Sequence, residues 1–225
     1  MKRLGQYIKS INEWKANSTS IDSIKRKGTG IDLIYKVNEQ SAPIQIFYCD
    51  FRDIYHYSKK IYINNVNVEI NKYGVTLYEF VKGTYDIHID CDELTYNCSN
   101  MFESCDQLKQ VVNIDCKGVT QMNGMFYKCK NLEYINQIEN TDEVITMRGM
   151  FGHCEKLKTA PYIKTSNVDD MGCMFIYCKN LKDVPLYDTT NITDMYNTFY
   201  GCNLSTKSYD EWSSVYDFTI HKMKK

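Results

Sequence analysis

At 225 residues, 43% of them hydrophobic, the chain is long enough to bury a real core in one large domain or two small ones. Its 27 Lys and Arg against 28 Asp and Glu leave a formal charge of -1, so no global field gathers nucleic acid, and no nucleic-acid partner is expected. No apolar run approaches the roughly 20 residues of a membrane helix, so no membrane insertion is expected.

The first segment, residues 1–20, is predicted as an amphipathic helix. Leu4, Tyr7, Ile8, Ile11 and Trp14 fall on one helical stripe. That stripe either docks on its own domain or serves as an assembly helix that fits a partner's groove. Gln6, Lys9, Ser10 and Asn12 interrupt any apolar signal core, so a product made in a cytosol without a signal peptide is expected.

Residues 21–92 read as a small antiparallel β module that caps the C-terminal part of the chain. In KIYINNVNVEI, Ile61 and Ile63 alternate, then Val66, Val68 and Ile70, across the two-residue turn Asn64-Asn65, which is a hairpin pattern. Further strands are predicted at Ile31 to Val37, Ile44 to Phe51, Leu77 to Phe80 and Tyr85 to Ile89. Such a module would cover the exposed edge of the next element.

From residue 93 to residue 204 the chain repeats. MNGMFYKCKNLEYI begins at Met122, MRGMFGHCEKLKTA at Met147 and MGCMFIYCKNLKDV at Met171, with a weaker copy, MYNTFYGCNLS, at Met195. Cys105, Cys129, Cys154, Cys178 and Cys202 are separated by 24, 25, 24 and 24 residues, and Phe102, Phe126, Phe151, Phe175 and Phe199 keep the same intervals. A unit this short cannot bury its apolar side alone and stacks on its neighbours. The expected architecture is therefore a leucine-rich-repeat-like solenoid of five copies of about 24 residues. Each copy reads as a short strand, near Leu157 to Ile163, then a turn, then a short helix. The helix is inferred because Val168, Met171, Met174 and Phe175 recur at offsets 0, 3, 6 and 7. The 25-residue copy carries its extra residue between Ile138 and Val144.

The cysteines admit a chemical and a packing reading. The closest pair, Cys173 and Cys178, is not a C-x-x-C, and His153 stands alone beside Cys154, so no metal site is expected. A thiol recurring once per coil is instead a buried ladder residue that stays reduced. The structural ladder thus comprises Cys105, Cys129, Cys154, Cys178 and Cys202 with Phe102, Phe126, Phe151, Phe175 and Phe199.

The run M-x-x-M-F-x-x-C-x-x-L-K-x-x-P at Met147 to Pro161, followed by T-S-N-V-x-D-M at Thr165 to Met171, closely resembles the BspA-type leucine-rich-repeat surface proteins. The resemblance implies a curved repeat stack used for adhesion or protein binding, without catalysis. It extends more weakly to the β module that precedes the repeats. After the repeats, SYDE at Ser208 to Glu211 has the form of a capping box, so residues 205–225 read as a C-terminal capping helix with a basic tail. The fold class expected from the whole chain is α+β: the antiparallel module, the solenoid and terminal helices.

The two positions after each anchor leucine read Lys109-Gln110, Glu133-Tyr134, Lys158-Thr159 and Lys182-Asp183. They form either ordinary solvated surface or a recognition strip, the latter because stacked coils align such positions and tyrosine is enriched at hot spots. No phosphate loop, carboxylate pair or Ser-His-Asp set stands out, so no catalytic residue and no cofactor are expected. The function expected is a non-enzymatic adhesion or interaction protein whose repeat surface binds a protein or a cell-surface glycan. Two settings remain open: a virion or tail-associated component, and a bacterial cell-surface or intracellular adhesin.

Overall fold

The computed structural model describes residues 30–37, 44–45, 60–64, 66–68, 77–78, 82–90, 96–220 and 222–223. The predicted helix from Leu4 to Trp14 lies outside them. The regular structure is mostly strand, in chain order β1 (Gly30–Val37), β2 (Ile44–Gln45), β3 (Lys60–Ile63), β4 (Val66–Val68), β5 (Leu77–Tyr78), β6 (Gly83–Asp90), β7 (Leu108–Asp115), β8 (Tyr134–Ile135) and β9 (Ile138–Glu139). A single helix, α1 (Thr206–Trp212), and the short strands β10 (Tyr216–Asp217) and β11 (Lys222–Met223) complete the described chain.

The alternation of β-branched and aromatic residues sets the first part of the sheet. Ile31, Leu33, Tyr35 and Val37 of β1, Ile61 and Ile63 of β3, and Tyr85, Ile87 and Ile89 of β6 are all buried, as period-2 positions on one face must be. The turn after β3 holds because Asn64 adopts φ 49 and its side-chain oxygen accepts from the Asp86 amide at 2.9 Å. Strand β1 then pairs antiparallel with both β6 and β7, while β7 pairs parallel with β8 and β9. The result is one seven-stranded mixed sheet, ordered β4-β3-β6-β1-β7-β8 with β9 also on β7.

The α+β solenoid of strand-plus-helix copies, with terminal helices, is therefore corrected. Strands β1, β3, β4 and β6 continue into the repeats, because β7, which lies inside the first repeat, joins them in one sheet, while β2 and β5 pair apart as a two-stranded sheet. The repeats contain no helix; each M-x-x-M-F-x-x-C-x-x-L run is a chain of tight turns. Met125 donates to the Met122 carbonyl at 3.3 Å, Cys129 to Phe126 at 3.1 Å and Leu132 to Cys129 at 3.0 Å, each a step of three residues. Three-residue steps mimic the helical offsets 0, 3, 6 and 7 without any bond of the α-helical i→i−4 type. A helix is also blocked by left-handed residues four apart, Gly124 (φ 59) and Lys128 (φ 61), repeated at Gly149 and His153 (φ 63 and 61).

The amides a helix would use are spent between copies. Gly124, Phe126 and Lys128 donate to the carbonyls of Arg148, Met150 and Gly152, each at 2.8 Å, and the same ladder continues through Gly149, Phe151 and His153 to the next copy. Isolated parallel bridges link Asn97, Gln121, Thr146, Asp170 and Asp194 in series. The copies thus lie on one another as coils of turns.

Strand length shrinks along the stack. The first coil carries the eight residues of β7, the second only β8 and β9, and beyond them the single bridge Thr159–Asp183 remains. Pro161 and Pro185 supply the reason, since neither has an amide to donate to a ladder. Register also locates the inserted residue. Asp115 pairs with Glu139, and from Thr141 onward the offset grows by one, which leaves Asn140, at φ 54, as the extra residue in the turn.

The C-terminal helix is shorter and starts earlier than the capping-box reading placed it. Ser205, not Ser208, is its N-cap, and the Ser205 hydroxyl accepts from the Ser208 amide at 3.3 Å. Ser208 is buried inside the helix, where its hydroxyl accepts from the Val184 amide at 3.1 Å. After the helix, the described chain ends in the β10–β11 pair, which carries Lys222 of the expected basic tail. Trp212, Tyr216 and Phe218 close the core by packing edge or face against Phe199, with ring centroids at 4.9, 5.2 and 5.9 Å.

Candidate functional site

Three rows of side chains run along the stack, one internal and two on its surface. Internally, Phe102, Phe126, Phe151, Phe175 and Phe199 stack with centroids 5.3, 5.5, 5.5 and 5.9 Å apart and planes within 8°. Beside them, each cysteine thiol donates to a phenylalanine carbonyl of the preceding coil: Cys129 to Phe102 at 2.9 Å, Cys154 to Phe126 at 3.1 Å, Cys178 to Phe151 at 3.0 Å and Cys202 to Phe175 at 2.9 Å. The first rung, Cys105, has no preceding coil, and the buried Tyr35 side chain of β1 is hydrogen-bonded to it instead. Burial holds the thiols of Cys129, Cys154 and Cys178 well above their ordinary pKa and pushes Cys202 up to about 12. A neutral thiol is a donor and a poor nucleophile, so this row supports structure.

The eight strip residues fall into two backbone-paired sets, one from the first two coils and one from the last two. Gln110 pairs with Tyr134 in the β7–β8 ladder, Glu133 donates its amide to the Lys109 carbonyl, and Lys182 donates its amide to that of Lys158 at 2.8 Å. Their side chains engage one another across coils. Lys109 forms an ion pair with Glu133, which holds the Glu133 carboxyl below its usual range. The Lys158 ammonium lies 3.3 Å from the Tyr134 hydroxyl and 5.3 Å from its ring centroid. Gln110 donates to Asn136 at 2.9 Å, and the Asp183 carboxylate accepts from Ser205 at 3.0 Å, while Thr159 and Asp183 are joined by a backbone β-bridge. Tyr134 remains 46% exposed, and Lys158, Thr159, Lys182 and Asp183 are exposed as well.

The other surface row has no counterpart among the features predicted from sequence. Tyr127, His153, Tyr177 and Tyr200 form a continuous line of rings with centroids 5.3, 5.0 and 5.4 Å apart, set at 85°, 38° and 83°. The row is hard to find by periodicity because it changes column: Tyr127 and Tyr200 directly follow their phenylalanines, whereas His153 and Tyr177 stand two residues after theirs. The signal available was the compensating glycine. A Cβ on Gly152 would lie 2.8 Å from two carbons of the Tyr127 ring, and one on Gly201 would lie 2.6 Å from the Tyr177 ring.

Further ion pairs lie on the surface of the stack. Arg148 donates to Asp194 at 2.9 Å and lies 3.4 Å from Asp170, and Lys164 pairs with Asp142 at 2.8 Å. Exposed pairs of this kind contribute little to stability. Among the described residues, no group of three or more His, Cys, Asp or Glu side chains is placed to hold a metal ion, and no helix is long and apolar enough to cross a membrane.

The family model described as "Mycoplasma protein of unknown function, DUF285" matches residues 96–212. The chain belongs to this family. No curated protein and no solved structure matches it. The DUF285 segment coincides with the turn coils and the helix that closes them, from Tyr96 to Trp212, and leaves β1 to β6 outside. All three side-chain rows therefore belong to the family segment.

Proposed function

We propose that this DUF285 chain is a non-enzymatic interaction protein that binds a macromolecular partner through its repeat surface. The observation that carries the reading is the strip itself: eight side chains drawn from four coils, with the first two coils and the last two joined by backbone pairing and the middle step spanned by the Lys158–Tyr134 contact. A fixed backbone with chemically varied side chains is preorganised for binding, because little conformational entropy is lost on contact. Tyr134 is the natural anchor. It is large, amphipathic, exposed and steadied by Lys158, and tyrosine is enriched at interface hot spots. The raised pKa values of the ladder thiols support the non-enzymatic reading of that row, since a neutral buried thiol is a poor nucleophile.

The test is capture of a partner on the immobilised chain, followed by affinity measurement with the purified partner. The Tyr134→Ala/Lys158→Ala double variant should bind at least tenfold more weakly, about 1.4 kcal/mol, at an unchanged melting temperature. Equal affinity for the double variant and the wild type would overturn the assignment to the strip.

A further inference from the structure

The row Tyr127–His153–Tyr177–Tyr200 is distinct from the strip, and core packing does not explain it. Tyr177 is 37% and Tyr200 39% exposed, while the phenylalanines beneath them are buried. Nor does the backbone require these rings. His153 (φ 61) and Tyr177 (φ 56) occupy a left-handed position that glycine fills without strain in the next coil, at Gly201 (φ 75). Bulky rings are held there at a conformational cost, and glycines 152 and 201 make the room in which the neighbouring tyrosine rings lie.

The charges around the row define what it fits. Lys128, Lys130 and Lys179 surround His153, against one carboxylate, Glu155, which is paired with Lys179 at 3.0 Å. Lys128 leans over the Tyr127 ring at 5.1 Å from its centroid. Among the described residues Lys128 and Lys130 have no ion pair. Glu103 and Asp106 lie at the first-coil end, so the basic section is confined to the second, third and fourth coils. A line one ring wide, bordered by charged side chains, is too narrow for the dry apolar centre of a protein–protein contact, which spans roughly 800 Å² per partner. A chain of linked pyranose rings fits better. Its apolar C–H faces pack on aromatic rings, its hydroxyls reach tyrosine and imidazole edges, and it advances per sugar by nearly the ring-to-ring step of this row.

We infer that the row Tyr127, His153, Tyr177 and Tyr200, with Lys128 and Lys130, is a binding site for an acidic polysaccharide, its sugar faces on the rings and its carboxylates on the lysines. The site goes beyond the strip and stands or falls without it.

Native affinity electrophoresis of the full chain tests this, in gels containing sodium alginate, polygalacturonate or hyaluronate, with hydroxyethyl cellulose and oligo(dT) as comparisons. Retardation by at least one of the three uronate polymers is expected, stronger than by either comparison. Tyr177→Ala/Tyr200→Ala and Lys128→Ala/Lys130→Ala should each weaken it at least tenfold with melting temperatures near wild type. Gly152→Ala, which pushes the Tyr127 ring from its seat, should weaken it as well, and Tyr134→Ala/Lys158→Ala should leave it unchanged. No retardation by any uronate polymer would overturn the inference. So would uronate binding that survives the ring variant, or equal or stronger retardation by oligo(dT) or by hydroxyethyl cellulose.

Discussion

The Cys154 thiol donates to the Phe126 carbonyl, 3.1 Å away in the preceding coil, while the Cys154 amide donates to Phe151 of its own coil at 3.0 Å. One small residue thereby satisfies two carbonyls and fills the space beside the phenylalanine stack. Alanine would fill less of that space and leave the Phe126 carbonyl without the thiol, whereas serine keeps a donor. Cys154→Ala should therefore cost about 1–3 kcal/mol in chemical denaturation, and Cys154→Ser less. A larger loss for serine than for alanine would show that the thiol acts by apolar packing alone.

Thiol reactivity depends on the same row. Cys129, Cys154 and Cys178 are fully buried, and Cys173 is half-buried on the surface beside Arg148. A maleimide applied to the native chain should label Cys173 before Cys129, Cys154 and Cys178, and leave those three untouched until denaturant is added. Mass-spectrometric mapping reads this directly, and early labelling of Cys154 would contradict a closed stack.

Phe151 and Phe199 should cost similar amounts to truncate, about 3–5 kcal/mol each as alanine. Position in the stack alone would make the last ring cheap. Phe199 is only 3% exposed, however, because Trp212, Tyr216 and Phe218 cover the side that lacks a sixth coil. Equilibrium unfolding of the two variants decides, and a marginal loss for Phe199→Ala would mean that the C-terminal cap contributes little.

Gly118 and Gly124 both have positive φ, at 79° and 59°, but differ in surroundings. A Cβ on Gly118 meets nothing within 4 Å, while one on Gly124 would stand 2.3 Å from the Asn100 side-chain oxygen. Gly118→Ala should cost only the left-handed strain, about 1–2 kcal/mol, and Gly124→Ala more. Thermal melts of the two variants compare them directly.

His153 links stability to pH. Burial, then the nearby Lys128, Lys179 and Lys130 ammonium groups, hold its pKa below the ordinary 6.5. The folded state thus binds this proton less readily than the unfolded chain. The contribution is fully present above pH 6.5 and is lost as pH falls through the lowered folded value. Replacing His153 by glutamine should flatten the fall in melting temperature between pH 7 and pH 5, and an unchanged slope would assign that fall to other groups.

The columns of the stack are legible in the sequence because inward positions are constrained by burial. Phe, Cys and Leu recur every 24 or 25 residues wherever a coil returns to the core, and the strip from Lys109 to Asp183 comes from the same arithmetic. The conformation between those columns was not legible. Turns closed every three residues place Val168, Met171 and Met174 much as a helix would, and only the backbone bonds between coils, with left-handed residues at Gly124, Lys128 and their equivalents, distinguish the two. The row from Tyr127 to Tyr200 stayed hidden because its rings come from two different columns and meet only in space. Tertiary structure alone also decided that β7 extends the N-terminal sheet into the first coil. That is a pairing between segments far apart in the chain, and periodicity carries no information about what lies against the first coil of a repeat.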